Sequence, residues 1–384
     1  MPREIKILSA CFFAIFFAYN GVQQFLTAYF SDLNMVRVGF WSLILIYSSL
    51  LVTNLFSGFI VSRIGAKKCL FLGSLFYSVF IFVLASKQIP IIYLASVLLG
   101  FGASLLWTAH GVFLIKSSGQ GGFGKSSGFF TTFFQLGSTL GIIVAGILIT
   151  RLSFEKYFLI FGILPVMAAL AFLMLKKTEP VAVGLNDNFN NLRKTVQNPM
   201  ALKLSLIWLS FSLVIASVSG QIPLEIKKYF GLGSIAFTTP IFYFLPIVLA
   251  YYLGRLSDIK GRKVFLFGAY IFILLGLGLF TLQSQIGPAK LFLIISLLLL
   301  SLGYAIFAPL RFALLGDVSA GGSLEHLSAF SIFASNLGYV IIFMINLYLP
   351  PIFAYLIPFL FVSLSLIIVL PMLRLNKQIA GNKI

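Results

Sequence analysis

Residues 254–263 read GRLSDIKGRK, and residues 58–67 read GFIVSRIGAK, so one pattern of glycines and basic residues occurs twice in the chain. A second pair follows in the same order: residues 127–137 read SGFFTTFFQLG, and residues 328–338 read SAFSIFASNLG. The members of the two pairs are separated by 196 and 201 residues respectively. Two matches at nearly one offset predict a chain built from two related halves.

Apolar residues dominate both halves. Of the 384 residues, 60% are hydrophobic and only 9% are charged, which is too little charge to cover the surface of a soluble domain. The pattern predicts twelve membrane-spanning helices of about twenty residues each. The predicted spans are 5–30, 40–61, 69–86, 90–115, 128–150, 156–175, 203–226, 233–253, 264–283, 289–312, 325–348 and 351–373.

The basic residues are distributed unevenly over the loops between these spans. Most of the 27 Lys and Arg residues fall in alternate loops, on the side that also carries the N-terminus. Because cytoplasmic loops are enriched in basic residues, we expect both termini to be cytoplasmic and the protein to lie in the plasma (inner) membrane. The net charge of +18 is spread over short loops, which argues against nucleic acid as a partner and favours contact with the lipid bilayer.

The longest polar stretch lies near the midpoint of the chain and divides it. We predict an N-terminal six-helix bundle at 1–175, a cytoplasmic linker at 176–202, a C-terminal six-helix bundle at 203–373 and a cytoplasmic tail at 374–384. The predicted fold class is therefore an all-α integral membrane protein with twelve transmembrane helices in two pseudo-symmetric six-helix bundles. Parallel repeats of this kind place a solute pathway between the halves.

Amides and ionisable groups are costly in hydrocarbon, so their positions indicate which helices face a polar interior. Spans 3, 6, 9 and 12 lack such groups in their interiors, and we expect these four helices to face lipid. The alternative for a polar residue inside a span is a hydrogen bond to a neighbouring helix, or for Arg311 an extension to the inner headgroups. The predicted substrate-pathway residues are Asn20, Gln24, Thr27, Tyr47, Asn54, Trp107, His110, Thr131, Gln135, Gln221, Tyr304, Arg311 and Asn336.

The repeated loop resembles the signature Gly-x-x-x-Asp-x-x-Gly-Arg-Lys of the major facilitator superfamily. The first half is also similar to the UNC-93-like branch of that superfamily, through Asn20-Gly21-x-Gln23, Ile46-Tyr47 and LGFGASLLWTAHG at residues 99–111. The resemblance implies a gating motif in which the glycines allow close helix approach and the charged residues hold the inner gate. In the first copy Ser62 replaces the Asp of the signature. The implied gating residues are Gly58, Arg63, Gly65, Lys67, Gly254, Arg255, Asp258, Gly261, Arg262 and Lys263.

Asp258 has a physical role available at the end of a helix. A carboxylate there can accept hydrogen bonds from the free N–H groups at the N-terminus of a neighbouring helix. Plain positive-inside charge is the alternative explanation of the surrounding cations.

The segment Gly119–Ser126 matches the phosphate-binding pattern Gly-x4-Gly-Lys-Ser. A working phosphate loop needs a preceding strand and an acidic magnesium partner, and this segment joins two apolar spans instead. We therefore predict no nucleotide at Gly119–Ser126, and expect a flexible loop whose serines cap the fifth span.

The sequence predicts a secondary transporter that moves a small polar or anionic solute by alternating access between the two halves. It offers no paired carboxylates, metal-spaced histidines or base-linked nucleophile, so we expect no enzyme activity, no cofactor and no metal. No Asp or Glu lies deep in a span, which leaves a uniporter or a symporter that uses His110. The resemblance to UNC-93-like proteins implies an alternative, a non-transporting accessory protein that regulates or escorts a partner membrane protein. We expect a monomer.

Overall fold

The computed structural model describes residues 1–118, 123–149, 151–176, 190, 193–286, 290–318 and 324–369. Helices account for almost all of these residues. The first half contains α1 (Arg3–Asp32), α2 (Val36–Ile64), α3 (Ala66–Leu84), α4 (Ile89–Ser117), α5 (Phe123–Ile149) and α6 (Phe154–Phe172, interrupted at Gly162). The second half contains α7 (Pro199–Phe230), α8 (Leu232–Lys260), α9 (Arg262–Ile286), α10 (Lys290–Val318), α11 (Leu324–Tyr348) and α12 (Phe353–Val369).

Eleven of the helices within the described ranges are long and apolar enough to cross a membrane. The twelfth predicted span, 351–373, corresponds to α12, a shorter apolar helix of 17 residues, and its last residues lie outside the described part of the chain. The predicted fold class, an all-helical membrane protein, is confirmed. Most of the predicted linker 176–202 and the whole tail 374–384 lie outside the described residues, so those boundaries stay a prediction.

The two halves repeat one packing pattern. In the first half α1 packs on α5, while α2 and α3 pack on α4; in the second half α7 packs on α11, while α8 and α9 pack on α10. The halves meet through two equivalent contacts, α5 with α8 and α2 with α11. The repeat seen in the sequence is therefore also a repeat of helix contacts in the structure.

Helices α3, α6, α9 and α12 occupy the outside of the bundles, as the lack of amides and charges in their interiors predicts. Each presents large apolar side chains to the surroundings, and Met167 on α6, Val264 on α9 and Ile367 on α12 are 58%, 69% and 69% exposed. In hydrocarbon such exposure carries no hydrophobic penalty. The remaining eight helices are left to form the interface between the halves.

Close packing inside each half depends on equivalent glycines. A Cβ atom placed on Gly102 of α4 would lie 2.5 Å from Cβ of Phe76 on α3, and one placed on Gly303 of α10 would lie 2.7 Å from a side-chain carbon of Ile273 on α9. Gly73 of α3 lies at the same α3–α4 contact, where an added Cβ would be 2.6 Å from the carbonyl oxygen of Gly102. Small residues permit such backbone approach between membrane helices.

We predict that Gly73→Ala destabilises the protein, because the new methyl group meets backbone that has no room to move. Overpacking of this kind costs roughly 1–3 kcal/mol. The measurement is the midpoint of thermal unfolding, Tm, of the purified protein in one detergent.

The matched control is Gly268→Ala on α9, the helix equivalent to α3, where the nearest atom to the new Cβ is 3.9 Å away. Its Tm should stay level or rise slightly, because Ala is the better helix former. Equal Tm values for the two variants would contradict the packing argument.

Candidate functional site

A cavity of about 100 Å³ lies between the two halves. Its lining comes from both bundles and is rich in aromatic rings, with a few amides and hydroxyls among them. Six predicted substrate-pathway residues line it, namely Asn20, Tyr47, Trp107, Tyr304, Arg311 and Asn336. The cavity is thus mostly apolar with a few polar groups, as is usual for small-molecule sites.

Arg311 of α10 carries the only formal charge among the described residues that line this cavity. The carbon of its guanidinium group lies 5.7 Å from the ring centroid of Trp107, 5.4 Å from that of Trp208 and 4.6 Å from that of Phe312. Aromatic faces stabilise a cation only in part. Within the described ranges no carboxylate forms an ion pair with Arg311, so its positive charge is left without a counter-charge.

Tyrosines from the two halves meet in one wall of the cavity. The rings of Tyr47 on α2 and Tyr339 on α11 stack with their centroids 4.1 Å apart and their planes at 5°. The amide nitrogen of Gln23 donates to the hydroxyl of Tyr47 at 3.0 Å. These contacts hold one wall of the cavity, and that wall contains residues of both bundles.

The other seven predicted pathway residues lie outside the lining of this cavity; they are Gln24, Thr27, Asn54, His110, Thr131, Gln135 and Gln221. Two of them connect the halves instead. Nε2 of Gln24 lies 3.2 Å from the carbonyl oxygen of Val218, and Nε2 of Gln135 lies 3.0 Å from the hydroxyl of Tyr304. These geometries match the alternative of helix-to-helix bonding, because each amide finds its partner on the facing bundle.

Asn54 and Gln221 bond within their own halves. Oδ1 of Asn54 accepts from the hydroxyl of Ser104 at 2.6 Å, which ties α2 to α4. Nε2 of Gln221 lies 3.4 Å from the carboxylate of Glu225, one turn along α7. Both amides therefore have a structural partner away from the cavity.

Thr27, His110 and Thr131 are almost completely buried, and their polar side-chain atoms have no hydrogen-bond partner among the described protein atoms. The imidazole of His110 lies between aromatic rings, with centroid distances of 4.0 Å to Phe130 and 4.8 Å to Phe312. His110 therefore lies behind the wall of the cavity, and its contact with Phe312 crosses between the halves.

Several lining residues carried no clear signal in the sequence. Tyrosine and serine are tolerated throughout membrane helices, so hydropathy does not distinguish a lining tyrosine from one that fills volume. Gln23, beside Asn20, had a signal as an amide inside a span. The polar or indole side chains that line the cavity outside the predicted set are Tyr19, Gln23, Tyr77, Trp208, Ser219, Tyr243, Ser335 and Tyr339.

Asp258 holds the two halves together at one end of the interface. Its carboxylate oxygens accept the backbone N–H groups of Gly124 at 3.2 Å and Lys125 at 3.0 Å, in the first turn of α5. We call this contact the latch, and the end of the molecule that carries it the basic end. The expectation that serines cap the fifth span is wrong, because Ser126 and Ser127 lie within α5, which begins at Phe123, and Asp258 of the facing half bonds its first N–H groups instead. Gly119–Gly122 lie outside the described residues.

Glycines make the approach at the latch close. A Cβ on Gly124 would lie 2.5 Å from Oδ1 of Asp258, and one on Gly128 would lie 2.6 Å from the carbonyl oxygen of Ala250. Gly254 faces the backbone of Gly124 in the same way. The backbones of α5 and α8 are therefore in contact near the basic end, where α5 begins and α8 ends.

The glycines at the ends of the two repeated loops share a backbone conformation with positive φ. Gly65 and Gly261 have φ values of 92° and 86°, and no atom lies within 4 Å of a Cβ on Gly261. They allow the chain to leave α2 and α8 through a left-handed conformation. Close approach is therefore not the function of Gly261.

The charged residues of the motif divide into paired and exposed groups. Arg262 binds Asp258 at 2.6 Å and Asp317 at 3.0 Å, so it braces the latch from within the second half. Lys67 donates to the carbonyl oxygen of Leu173 at 2.6 Å. Arg63, Arg255 and Lys263 are exposed.

A second contact joins the halves at the end opposite the latch. Nζ of Lys227 on α7 lies 2.6 Å from Oδ1 of Asp32 on α1 and 3.1 Å from the carbonyl oxygen of Ala28. The cavity therefore lies between two sets of polar contacts, one at each end of the interface.

The chain matches the Major Facilitator Superfamily over residues 7–282 and belongs to that family. Among curated proteins it is similar to UNC93-like protein MFSD11 of Xenopus tropicalis, at 33% identity over 141 residues, which cover 36% of this chain and 32% of that protein. UNC93-like protein 3 of Arabidopsis thaliana is 30% identical over 112 residues, covering 29% of this chain and 23% of that protein. The matched stretch thus spans about a third or less of these relatives. The prediction of an UNC-93-like member of the superfamily is confirmed.

Solved structures show the same fold. The proton:xylose symporter XylE aligns with a TM-score of 0.76 at 12% identity, covering 95% of both chains. The human organic anion transporter MFSD10 aligns with a TM-score of 0.70 at 13% identity, covering 94% of this chain and 100% of that one. At these identities the likeness defines the fold alone: two six-helix bundles of a multi-pass membrane protein.

We predict that Asp258→Asn lowers the Tm of the purified protein. The variant loses the ionic acceptor of two backbone N–H groups and the partner of Arg262, and a hydrogen bond to a charged group contributes about 1.5–3 kcal/mol. Lys260→Gln, an exposed change on the same helix, serves as the control and should leave Tm unchanged. An Asp258→Asn protein as stable as the wild type would show that the latch contributes nothing to stability.

Proposed function

We propose that this protein is a secondary transporter that moves a small anionic solute through the central cavity. The observation that carries the proposal is Arg311, whose charge faces a largely apolar cavity and has no carboxylate partner among the described residues. An unpaired charge inside a membrane protein is costly. A bound anion would remove that cost, so the cavity should favour a negatively charged solute over a neutral or positive one.

The rest of the lining supports an organic anion. Aromatic rings of Trp107, Trp208 and the stacked Tyr47 and Tyr339 offer flat apolar surface, and the amides of Asn20 and Asn336 offer donors. Superfamily membership supports a small-molecule solute, and one structural neighbour, MFSD10, is named as an organic anion transporter.

Alternating access is the proposed mechanism. The halves touch at the latch on one end and at Lys227–Asp32 on the other, and breaking one contact while keeping the other would expose the cavity to one side. The proposed inner gate consists of Gly254, Asp258 and Arg262 together with Gly58, Arg63, Gly65, Lys67, Arg255, Gly261 and Lys263.

The proposed arrangement in the membrane follows the charge pattern. The basic end faces the cytoplasm, with both termini on that side, and the protein lies as a monomer in the plasma membrane. Residues 1–175 and 203–373 are the proposed moving bundles, joined by the linker 176–202.

The test is a thermal-shift screen of the purified protein with acetate, lactate, benzoate and phosphate, against neutral sugars and quaternary ammonium salts. We expect stabilisation by one or more anions, about 2.7 kcal/mol at a ligand concentration 100-fold above Kd. Arg311→Gln should abolish that stabilisation, and Arg311→Lys should keep part of it, because the positive charge remains.

Arg37→Gln is the matched control, since Arg37 is exposed and lies outside both the cavity lining and the repeated loops. It should respond to the same anion as the wild type does. Stabilisation by neutral or cationic compounds alone, or an undiminished anion response in Arg311→Gln, would refute the proposed solute class.

One observation favours a second function. A relative from Caenorhabditis elegans, 30% identical over 118 residues that cover 29% of this chain and 16% of that protein, carries the name of a potassium channel regulatory protein, unc-93. On that hypothesis the chain is an accessory subunit that regulates or escorts a partner membrane protein. Stabilisation by a co-purifying membrane protein, with no response to any solute, would favour the accessory role.

A further inference from the structure

Polar side chains without a hydrogen-bond partner among the described residues lie on the stretches of α4, α5 and α11 between the cavity and the latch. His110, Ser127, Thr131, Ser328 and Ser331 are each at most 5% exposed, and their polar side-chain atoms find no hydrogen-bond partner among the described residues. Buried polar groups are normally bonded, and each exception requires a physical reason.

These side chains continue the faces that line the cavity. His110 is three residues from Trp107 on α4, and Thr131 is three residues from Phe134 on α5, with Ser127 one further turn away. On α11, Ser331 lies four residues before the lining residue Ser335, and Ser328 lies three residues before Ser331. Residues three, four and seven positions apart lie on one face of a helix. Each step leads from the cavity toward the basic end.

These side chains lie along the distance that separates the cavity from the latch. At 1.5 Å of rise per residue, the stretch of α5 from Phe134 at the cavity to Gly124 at the latch is about 15 Å long, and Thr131 and Ser127 lie within it. The facing helices meet there, because a Cβ on Gly111 would lie 2.6 Å from Oγ of Ser328, and His110 contacts Phe312 of the other half.

Helix geometry does not prevent these serine hydroxyls from forming hydrogen bonds. A serine in a membrane helix can bond the carbonyl oxygen one turn back, as Ser42 does to Val38 and Ser96 does to Ile92, both at 2.8 Å. Ser127, Ser328 and Ser331 make no such bond within the described residues. Their hydroxyls are left available to a partner from outside the protein.

We propose that His110, Ser127, Thr131, Ser328 and Ser331 form a second station for the anion, closed in this structure, on the path from Arg311 to the basic end. The hydroxyls and the imidazole N–H donate hydrogen bonds to the anion and add no charge, so the anion is held weakly after it leaves Arg311. The station becomes accessible to water when α5 and α8 separate at the latch. That the solute is an anion rests on the proposed function.

The experiment uses single-cysteine variants of the full-length chain in a Cys11→Ala, Cys69→Ala background. Ser127→Cys, Thr131→Cys, Ser328→Cys and Ser331→Cys are treated with a sulfonate-bearing methanethiosulfonate reagent, and the labelled fraction is measured by mass. The latch is broken in two independent ways, by Asp258→Asn and by Gly124→Trp, which wedges α5 from α8. We expect labelling at the four positions to rise about tenfold or more, because loss of the latch raises the population of the open form.

Ser42→Cys and Ser96→Cys are the matched controls, since both serines are fully buried and bonded to their own helices. They should stay unlabelled in both latch variants. Unchanged labelling at the four positions in both variants, or an equal rise at the controls, would overturn the inference.

The chemistry of the station is tested with a trimethylammonium reagent of the same reactive group. We expect the sulfonate reagent to react faster at the four positions, relative to an exposed Gln197→Cys at the same end. If the cationic reagent, on the same scale relative to Gln197→Cys, reacts at the four positions as fast as the sulfonate reagent or faster, the anion station is refuted, even where the positions become accessible. The labelling requires no solute, so it can succeed when the anion screen of the purified protein fails, and the two failures are distinguishable.

Discussion

The high cost of a polar group in hydrocarbon organises this whole molecule. It removes amides and charges from the interiors of the four outer helices, which expose large apolar side chains such as Met167, Val264 and Ile367. It also drives many of the remaining polar side chains into the plane between the two bundles. The cavity, the latch and the Lys227–Asp32 contact all lie in that plane, where polar groups of the two halves meet.

Repetition and the burial of polar groups made the architecture predictable from the sequence. The offset of 201 that relates residues 127–137 to 328–338 also relates the starts of α5 and α11, at Phe123 and Leu324. The role of Asp258 followed from the chemistry of helix ends, and the structure places its carboxylate on the N–H groups of Gly124 and Lys125. Helix termini and internal repeats can both be recognised in a sequence without knowing how the helices pack.

The cavity lining was harder to predict because it depends on how two bundles face each other. Gln135 and Asn20 look alike in a hydropathy plot, yet Gln135 bonds Tyr304 across the interface while Asn20 lines the cavity. The sequence did not distinguish the lining residues Tyr77 and Tyr339 from tyrosines that fill volume, since a tyrosine in a membrane helix carries little cost. His110 shows the same limit: its polarity placed it inside the protein, and only the rings of Phe130 and Phe312 place it behind the wall.

Two indole rings lie beside Arg311 in the lining of the cavity. The chain has three tryptophans, and two of them, Trp107 and Trp208, lie within 6 Å of the guanidinium group, whereas Trp41 is elsewhere on α2. Indole emission responds to the charge and polarity beside the ring. The protein therefore contains its own optical reporter, and neutralising Arg311 should change its ultraviolet fluorescence without any added dye.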